Sequence, residues 1–236
     1  MCSHYQGVKN RAQFERHFGV TPALGEHSLD VWPGYPAPFV RSHPHADTGD
    51  DAVPAHEAPI GAFGLLPHWA KDRSASRHTY NARTETVAQK PSFRDAWARA
   101  QHCIIPAEAI FEPDWRSGRA VSTRIGMASG EPLGIAGLWS AWRRPEGEVL
   151  SFTMLTVNAA AHPLMREFHK PADEKRMVVV LPQAFYAEWL NATASQSMDL
   201  IQSCPLPDLV VAGEALRAPT ADSVTATDVR HQASLF

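Results

Sequence analysis

The spacing of apolar positions changes several times along the chain, and each change marks an element. In residues 10–19, Phe14 and Phe18 lie four apart on one helical face and Gly19 is a natural stop, so a short helix is predicted. Residues 32–59 break this regularity. They hold six prolines (33, 36, 38, 44, 54 and 59) and an acidic cluster of Asp47, Asp50 and Asp51, and they read as an irregular surface loop that repels DNA. A strand is predicted over 60–66, ended by Pro67. Residues 91–101 place Phe93, Ala96, Trp97 and Ala100 at helical spacing, with Ser92 as cap and Asp95 three residues on. Short buried strands are predicted over 103–106 and 109–111. Longer ones follow over 133–142 and 150–157, separated by the turn Arg-Pro-Glu-Gly. One or two helical turns are expected over 162–168. Residues 176–181 (Arg-Met-Val-Val-Val-Leu) are the most strand-like segment, and 182–190 then carry Phe185 and Trp189 on a short helix. No repeat is visible. The pattern predicts one α+β domain over 1–214, with a β-barrel-like core of mixed or antiparallel sheet flanked by short helices. A polar tail is expected over 215–236.

Composition narrows this little. The chain has 236 residues, 44% hydrophobic and 20% charged, which is ordinary for a globular protein. That length can bury a core without disulfides or metals. A net charge of −3 excludes a general polycation, so any nucleic-acid contact must come from a local patch. One such patch exists. Between residues 65 and 103, Lys71, Arg73, Arg77, Arg83, Lys90, Arg94 and Arg99 face only Asp72, Glu85 and Asp95, and Trp69 lies among them. Basic side chains interleaved with an aromatic suit single-stranded nucleic acid, although Arg94 and Arg99 also fit a solvated helix face. Three cysteines (2, 103 and 204) without close spacing argue for a reducing compartment rather than a disulfide framework, and Cys103 reads as a core residue. No run of about 18 apolar residues occurs, and the first residues lack a secretory pattern, so a cytoplasmic protein without membrane contact is expected.

Four segments could carry chemistry. Cys2 becomes a 1,2-aminothiol if Met1 is removed. Its amine and thiol have ordinary pKa values of about 7.7–8.0 and about 8.5, both near neutrality. Such a group condenses with an aldehyde to an imine that the thiol closes to a thiazolidine. By position alone the cysteine is equally readable as incidental. In Asn-Ala-Arg-Thr-Glu-Thr (81–86), Asn81 and Arg83 alternate, so on a strand they face one side, where an amide and a guanidinium suit an anion. A solvated edge strand is the plain alternative. Glu112 ends an apolar run before Pro113, a setting that can half-bury a carboxylate and raise its pKa, or simply make a turn. His169 lies beside Lys170, whose charge would keep the imidazole neutral for proton transfer. His162 is seven residues earlier, but the neighbourhood lacks the further ligands a zinc site needs, and no metal or cofactor is expected.

Taken in order, these segments resemble one family. Met-Cys at the start, Phe-Gly-Leu-Leu-Pro-His-Trp (63–69), Asn-Ala-Arg-Thr-Glu-Thr (81–86), Cys-Ile-Ile-Pro-Ala (103–107), Phe-Glu-Pro-Asp-Trp (111–115), Ala-Gly-Leu-Trp (136–139), Leu-Thr (155–156), Phe-His (168–169) and Arg-Met-Val-Val-Val-Leu (176–181) occur together. The chain resembles, over roughly residues 2–190, the SOS-response-associated peptidase family of abasic-site processing proteins. The resemblance implies a monomer that binds single-stranded DNA containing abasic sites, removes its own Met1 and forms a thiazolidine crosslink through Cys2, with lyase-like activity as a further expectation. It implies that Asn81 orients the N-terminus or the sugar hydroxyl. Glu112 would deprotonate the α-amine, and His169 would act on the sugar oxygen. Arg83 and Arg176 would hold phosphates, Thr156 would add a hydrogen bond, and Trp69 or Leu66 would stack or wedge at the lesion.

The chain departs from the family pattern in three places. Ser3 and His4 stand where the family begins Cys-Gly-Arg, so a phosphate contact at the DNA-facing start is altered. Residues 170–175 lengthen the step from His169 to Arg176. The proline-rich acidic segment 41–59 is unusual and is expected to cover or narrow the positively charged DNA groove that the resemblance implies. Two other readings stay open: an N-terminal-nucleophile hydrolase acting on amides, and a non-catalytic single-strand-binding module.

Overall fold

A computed structural model describes residues 2–46, 50–145 and 147–212. Among them the elements run β1 (Tyr5–Gln6), α1 (Arg11–Phe18), β2 (Asp30–Val31), β3 (Pro36–Pro38), β4 (Arg41–Ser42), β5 (His56–Glu57), β6 (Ile60–Phe63), β7 (Asn81–Arg83), α2 (Arg94–Ala98), β8 (His102–Ala107), β9 (Ala109–Asp114), β10 (Val121–Met127), β11 (Leu133–Arg144), β12 (Gly147–Asn158), β13 (Arg176–Val178), β14 (Val180–Leu181), α3 (Tyr186–Asn191), α4 (Ser197–Ser203) and β15 (Leu209–Val211). Short 3₁₀ turns lie at Arg73–His78, Met165–Glu167 and Gln183–Phe185.

Two sheets carry the fold. A small sheet has the order β15-β10-β9-β1-β2. A larger one runs β14-β11-β12-β6-β3, with β8 also on β11 and with β7 and β13 also on β12. The larger sheet is mixed, because β6 and β7 run parallel to β12 while its other pairs are antiparallel. The architecture is the expected α+β class, a sheet curled into half a barrel with short helices around it.

Side-chain alternation explains why the larger sheet is apolar on both faces. On β8, Cys103, Ile105 and Ala107 point into the core between the sheets, with Tyr5, Phe63, Phe152 and Met154. Ile104 points the other way, into a second core against Phe14, Trp97, Trp189 and Leu200 of the four helices. Every residue of β8 is therefore buried, and the run reads as continuously apolar rather than alternating. Fully burying one such large side chain stabilises by about 1.5–3 kcal/mol.

The predicted helix over 10–19 is α1, with the Asn10 side chain accepting from the Gln13 N–H and Gly19 closing it at φ 68°. Residues 32–59 are in part the irregular loop expected of them, with no strand or α-helix over 43–46 and 50–55, but they also carry three short strands. The prolines sit in or beside β3, β4 and β5, and Ala37, Phe39, Val40 and Ala58 are core residues. A proline is tolerated there because β3 is the outer strand of its sheet. Asp50 and Asp51 are exposed; Asp47 falls outside the described residues, as does the 215–236 tail. The Ser92 cap does not form: α2 starts at Arg94 without a side-chain cap, and Asp95 instead pairs with His68 at 3.2 Å. The single strand expected over 176–181 is two, because the chain leaves β12 after Val178 and joins β11 at Val180. β6 ends at Phe63, three residues short of the predicted end, just before Gly64, whose φ of +117° and contact with the Ser76 backbone leave no room for a side chain.

Candidate active site

β1 sits in the middle of the small sheet, paired with β2 on one side and β9 on the other. The chain that enters it therefore runs through the interior, and Cys2 is buried in the core between the sheets. Its carbonyl oxygen accepts a hydrogen bond of 2.7 Å from Asn81 Nδ2, and its thiol donates to the His4 carbonyl at 3.3 Å. Burial, reinforced by the nearby Glu112 charge, pushes the thiol well above its ordinary range. That corrects the expectation of a thiol poised near neutrality: in this setting the sulfur holds its proton.

Asn81 reaches residue 2 because β7 lies parallel to β12, with Asn81 opposite Met154. β12 is the one strand partner of β7 among the described residues, but Asn81 itself is half-buried rather than solvated. Its Oδ1 is buried and has no hydrogen-bond partner among the described residues.

Glu112 and His169 form the second half of the cluster. Glu112 lies on β9, fully buried, and burial raises its carboxyl to about 7. Its Oε2 stands 3.6 Å from His169 Nδ1. His169 adopts φ +65°, a left-handed conformation that costs a non-glycine residue about 1–3 kcal/mol. Several contacts hold it there. Its N–H donates to the Pro113 carbonyl at 3.0 Å, and Nε2 donates to the Arg176 carbonyl at 2.9 Å. Lys175 Nζ gathers the carbonyls of Phe168, His169 and Lys170 at 2.8, 3.2 and 2.9 Å. With Nε2 assigned as donor by its carbonyl partner, Nδ1 is the acceptor facing Glu112. Burial lowers the imidazole below its ordinary value, partly offset by the Arg176 carbonyl, and the nearby cation is Lys175. Lys170, expected in that role, instead lies over the Trp115 ring at 5.2 Å. Burial thus moves each group toward its neutral form, the carboxyl upward and the imidazole downward.

Tyr80 joins this cluster and was not singled out by sequence. It is half-buried, packs edge-on against Phe63 at 5.8 Å, and its phenol is raised by burial and then by the charges of Cys2 and Glu112. Its one sequence signal was adjacency to Asn81.

The residues expected to hold DNA are spread more widely. Arg83 is exposed and pairs with Glu174 at 2.8 Å. Arg176 is buried, with its guanidinium held by Glu85 at 2.9 Å, Glu174 at 2.7 Å and the Thr156 carbonyl at 2.7 Å. Thr156 is buried beneath it, its hydroxyl 3.3 Å from the same guanidinium. Trp69 is 52% exposed, whereas Leu66 is completely buried against Ala70 and Trp142 and presents nothing to a ligand. Ser3 is partly exposed, and His4 is stacked between two rings. His162 has both ring nitrogens taken by backbone, Nε2 by the Pro207 carbonyl and Nδ1 by the N–H groups of Leu164 and Met165. Among the described residues, no group of three or more His, Cys, Asp or Glu could hold a metal ion, and no helix is long and apolar enough to cross a membrane.

The fold and cluster define an α+β protein with a half-barrel sheet, its second residue hydrogen-bonded to Asn81 and close to the Glu112–His169 pair. The chain belongs to the SOS response associated peptidase (SRAP) family, whose pattern matches residues 1–213. It is 34% identical over 148 residues to the abasic site processing protein YoqW of Bacillus subtilis (strain 168), covering 61% of this chain and 62% of that protein. It is 24% identical over 164 residues to the abasic site processing protein HMCES of Rattus norvegicus, covering 56% and 46%. The match thus spans less than two thirds of these curated relatives. A crystal structure of a Bordetella bronchiseptica protein superimposes with a TM-score of 0.79 at 45% identity, covering 89% of this chain and 98% of that one. One from Bacteroides thetaiotaomicron shares the fold at a TM-score of 0.70 and 19% identity, covering 89% and 91%.

Proposed function

We propose that this protein captures abasic sites in single-stranded DNA by bonding covalently to them through Cys2. The observation that carries this reading is the hydrogen bond from Asn81 to the Cys2 carbonyl, which holds residue 2 in the same buried cluster as the Glu112–His169 pair. The relatives' printed names, abasic site processing protein, support the same substrate.

Hydrolysis of the Met1–Cys2 amide, consuming one water, frees the α-amine. An abasic sugar in its open form is an aldehyde. Because burial keeps the Cys2 thiol protonated, the amine attacks first, and Glu112 as carboxylate takes the ammonium proton. His169, whose Nδ1 is an acceptor in its neutral form, moves the proton needed to open the sugar ring. Loss of water leaves an imine. The thiol then adds across C=N, its proton passing to nitrogen, and a thiazolidine closes with one water lost between aldehyde and ring. Each positioned acid or base contributes about 10²–10⁴-fold. The orphan Oδ1 of Asn81 supplies an acceptor for the new amine or a sugar hydroxyl. Arg83 is the exposed guanidinium available to phosphate, and Arg176 acts from beneath by fixing the His169 carbonyl partner and Thr156.

The test is incubation with a single-stranded oligonucleotide bearing one abasic site. A heat-stable crosslink that disappears in Cys2→Ala is expected, and an undiminished crosslink in that variant removes Cys2 from the chemistry. Small amides should not be turned over, which separates this reading from an amide hydrolase.

A further inference from the structure

Three aromatic rings stack beside the cluster, and the mechanism above uses none of them. Trp32 follows β2, His4 precedes β1 and Phe111 lies on β9, so the three come from adjacent strands of the small sheet. The His4 ring centroid is 4.1 Å from that of Trp32 and 4.1 Å from that of Phe111, with interplanar angles of 10° in both cases. The stack is fixed at its middle. His4 Nε2 is 3.2 Å from Asp30 Oδ1, and the Phe111 N–H donates to the His4 carbonyl at 3.0 Å. Phe111 is covalently next to Glu112, and the His4 carbonyl also receives the Cys2 thiol. The column therefore stands within a residue or two of the reactive groups. Its outer end is open: Trp32 is 44% exposed, and His4 is its one ring neighbour among the described residues.

We propose that Trp32 is a stacking platform for a nucleobase neighbouring the abasic position, and that His4 and Phe111 are the stack that holds its indole rigid. This deepens, and rests on, the reading of the protein as a binder of single-stranded DNA. An exposed indole costs hydration, and a base π-face removes that cost while needing no particular sequence. A preordered ring also loses little side-chain freedom on binding. The proposal accounts for His4 as well. At position 4 the chain has a planar ring sandwiched between two others, so anchoring here comes from stacking, which releases no counterions.

Fluorescence anisotropy tests this with the full chain, Trp32→Ala and Trp32→Phe. The two probes are an intact single-stranded oligonucleotide and one of equal length whose central nucleotides are base-less tetrahydrofuran units. Wild type should bind the intact strand more tightly. Trp32→Ala should weaken that binding about 5- to 150-fold, the range that one stacked base supplies. It should leave affinity for the base-less strand and the slope of log Kd against log salt unchanged, while Trp32→Phe recovers most of the loss. Equal weakening on both strands, a reduced salt slope in Trp32→Ala, or no weakening at all would each overturn the platform. The crosslinking reading fails separately. If Cys2 forms no adduct while the base-dependent loss is seen, the platform stands and the covalent step falls. An adduct with a neutral Trp32→Ala means the reverse.

Discussion

Replacing Glu112 with glutamine should make the protein more stable and less active at the same time, and the structure fixes where in pH this happens. The side chain is fully buried, and its carboxyl is raised from 4.5 to about 7 by that burial. A raised folded-state value means that the neutral carboxyl is the stabilising form. Its contribution is fully present below about 4.5 and is lost as pH climbs through about 7. At about 1.4 kcal/mol per pH unit, the span from 4.5 to about 7 corresponds to about 3 kcal/mol of stability given up when the folded protein ionises Glu112. Glutamine has nearly the same shape and never ionises. Thermal melts near pH 5 should therefore nearly coincide for wild type and Glu112→Gln. Near pH 8.5 the variant should melt higher, by about 6–12 °C for a chain of this size. In the same samples the crosslinking rate at about pH 8 should fall by about 10²–10⁴-fold, and wild type should show a rate inflection near 7 that the variant lacks. A variant that melts at or below wild type at both pH values would refute the idea that burial sets the Glu112 protonation. An unchanged rate would refute its role as the base.

The other predictions concern the charged groups. Arg176→Ala leaves the Thr156 carbonyl and Glu85 without their cation and Glu174 with Arg83 alone; because Glu85 and Glu174 are themselves half in solvent, the expected cost is about 2–3 kcal/mol by denaturant unfolding, below that of a fully enclosed pair. A loss under about 0.5 kcal/mol would mean that the guanidinium is not structural. Arg83→Glu should weaken binding to intact single strands most at low salt and reduce the salt slope by about 1, with little change in melting temperature, because its pair with Glu174 is exposed. An unchanged slope would take Arg83 off the phosphate path.

The site was legible in the sequence to the extent that its residues have unusual local settings. Glu112 could be read as a buried carboxylate because it ends an apolar run, and β9 carries that run further than the predicted 109–111. Asn81 and Arg83 could be placed on one side of a strand from their alternation. That the strand would be threaded parallel to β12 could not, because its partner lies more than 70 residues away. The buried state of the Cys2 thiol was invisible for a similar reason. The first residues are polar, and only pairing of β1 between β2 and β9 draws them inside. Arg176 read as a phosphate ligand by type and position. Its engagement by Glu85 and Glu174 is a tertiary arrangement that no spacing announces. The short strands within residues 32–59 were missed because prolines are ordinarily strand breakers, yet an outer strand tolerates them, and Phe39 and Val40 carried the stronger apolar signal. The platform at Trp32 was missed because the three rings of the stack lie far apart in sequence and meet only where β2, β1 and β9 pair.

The central claim is that an amine and a sulfur on one residue close onto an abasic aldehyde. Mass spectrometry of the crosslinked protein, after digestion of both protein and DNA, tests it most directly. The account predicts a single adduct on the peptide that begins at Cys2, lacking Met1, with the mass of the abasic deoxyribose remnant less one water and no free thiol at that residue. An adduct on a lysine, or on a peptide that still carries Met1, would contradict it.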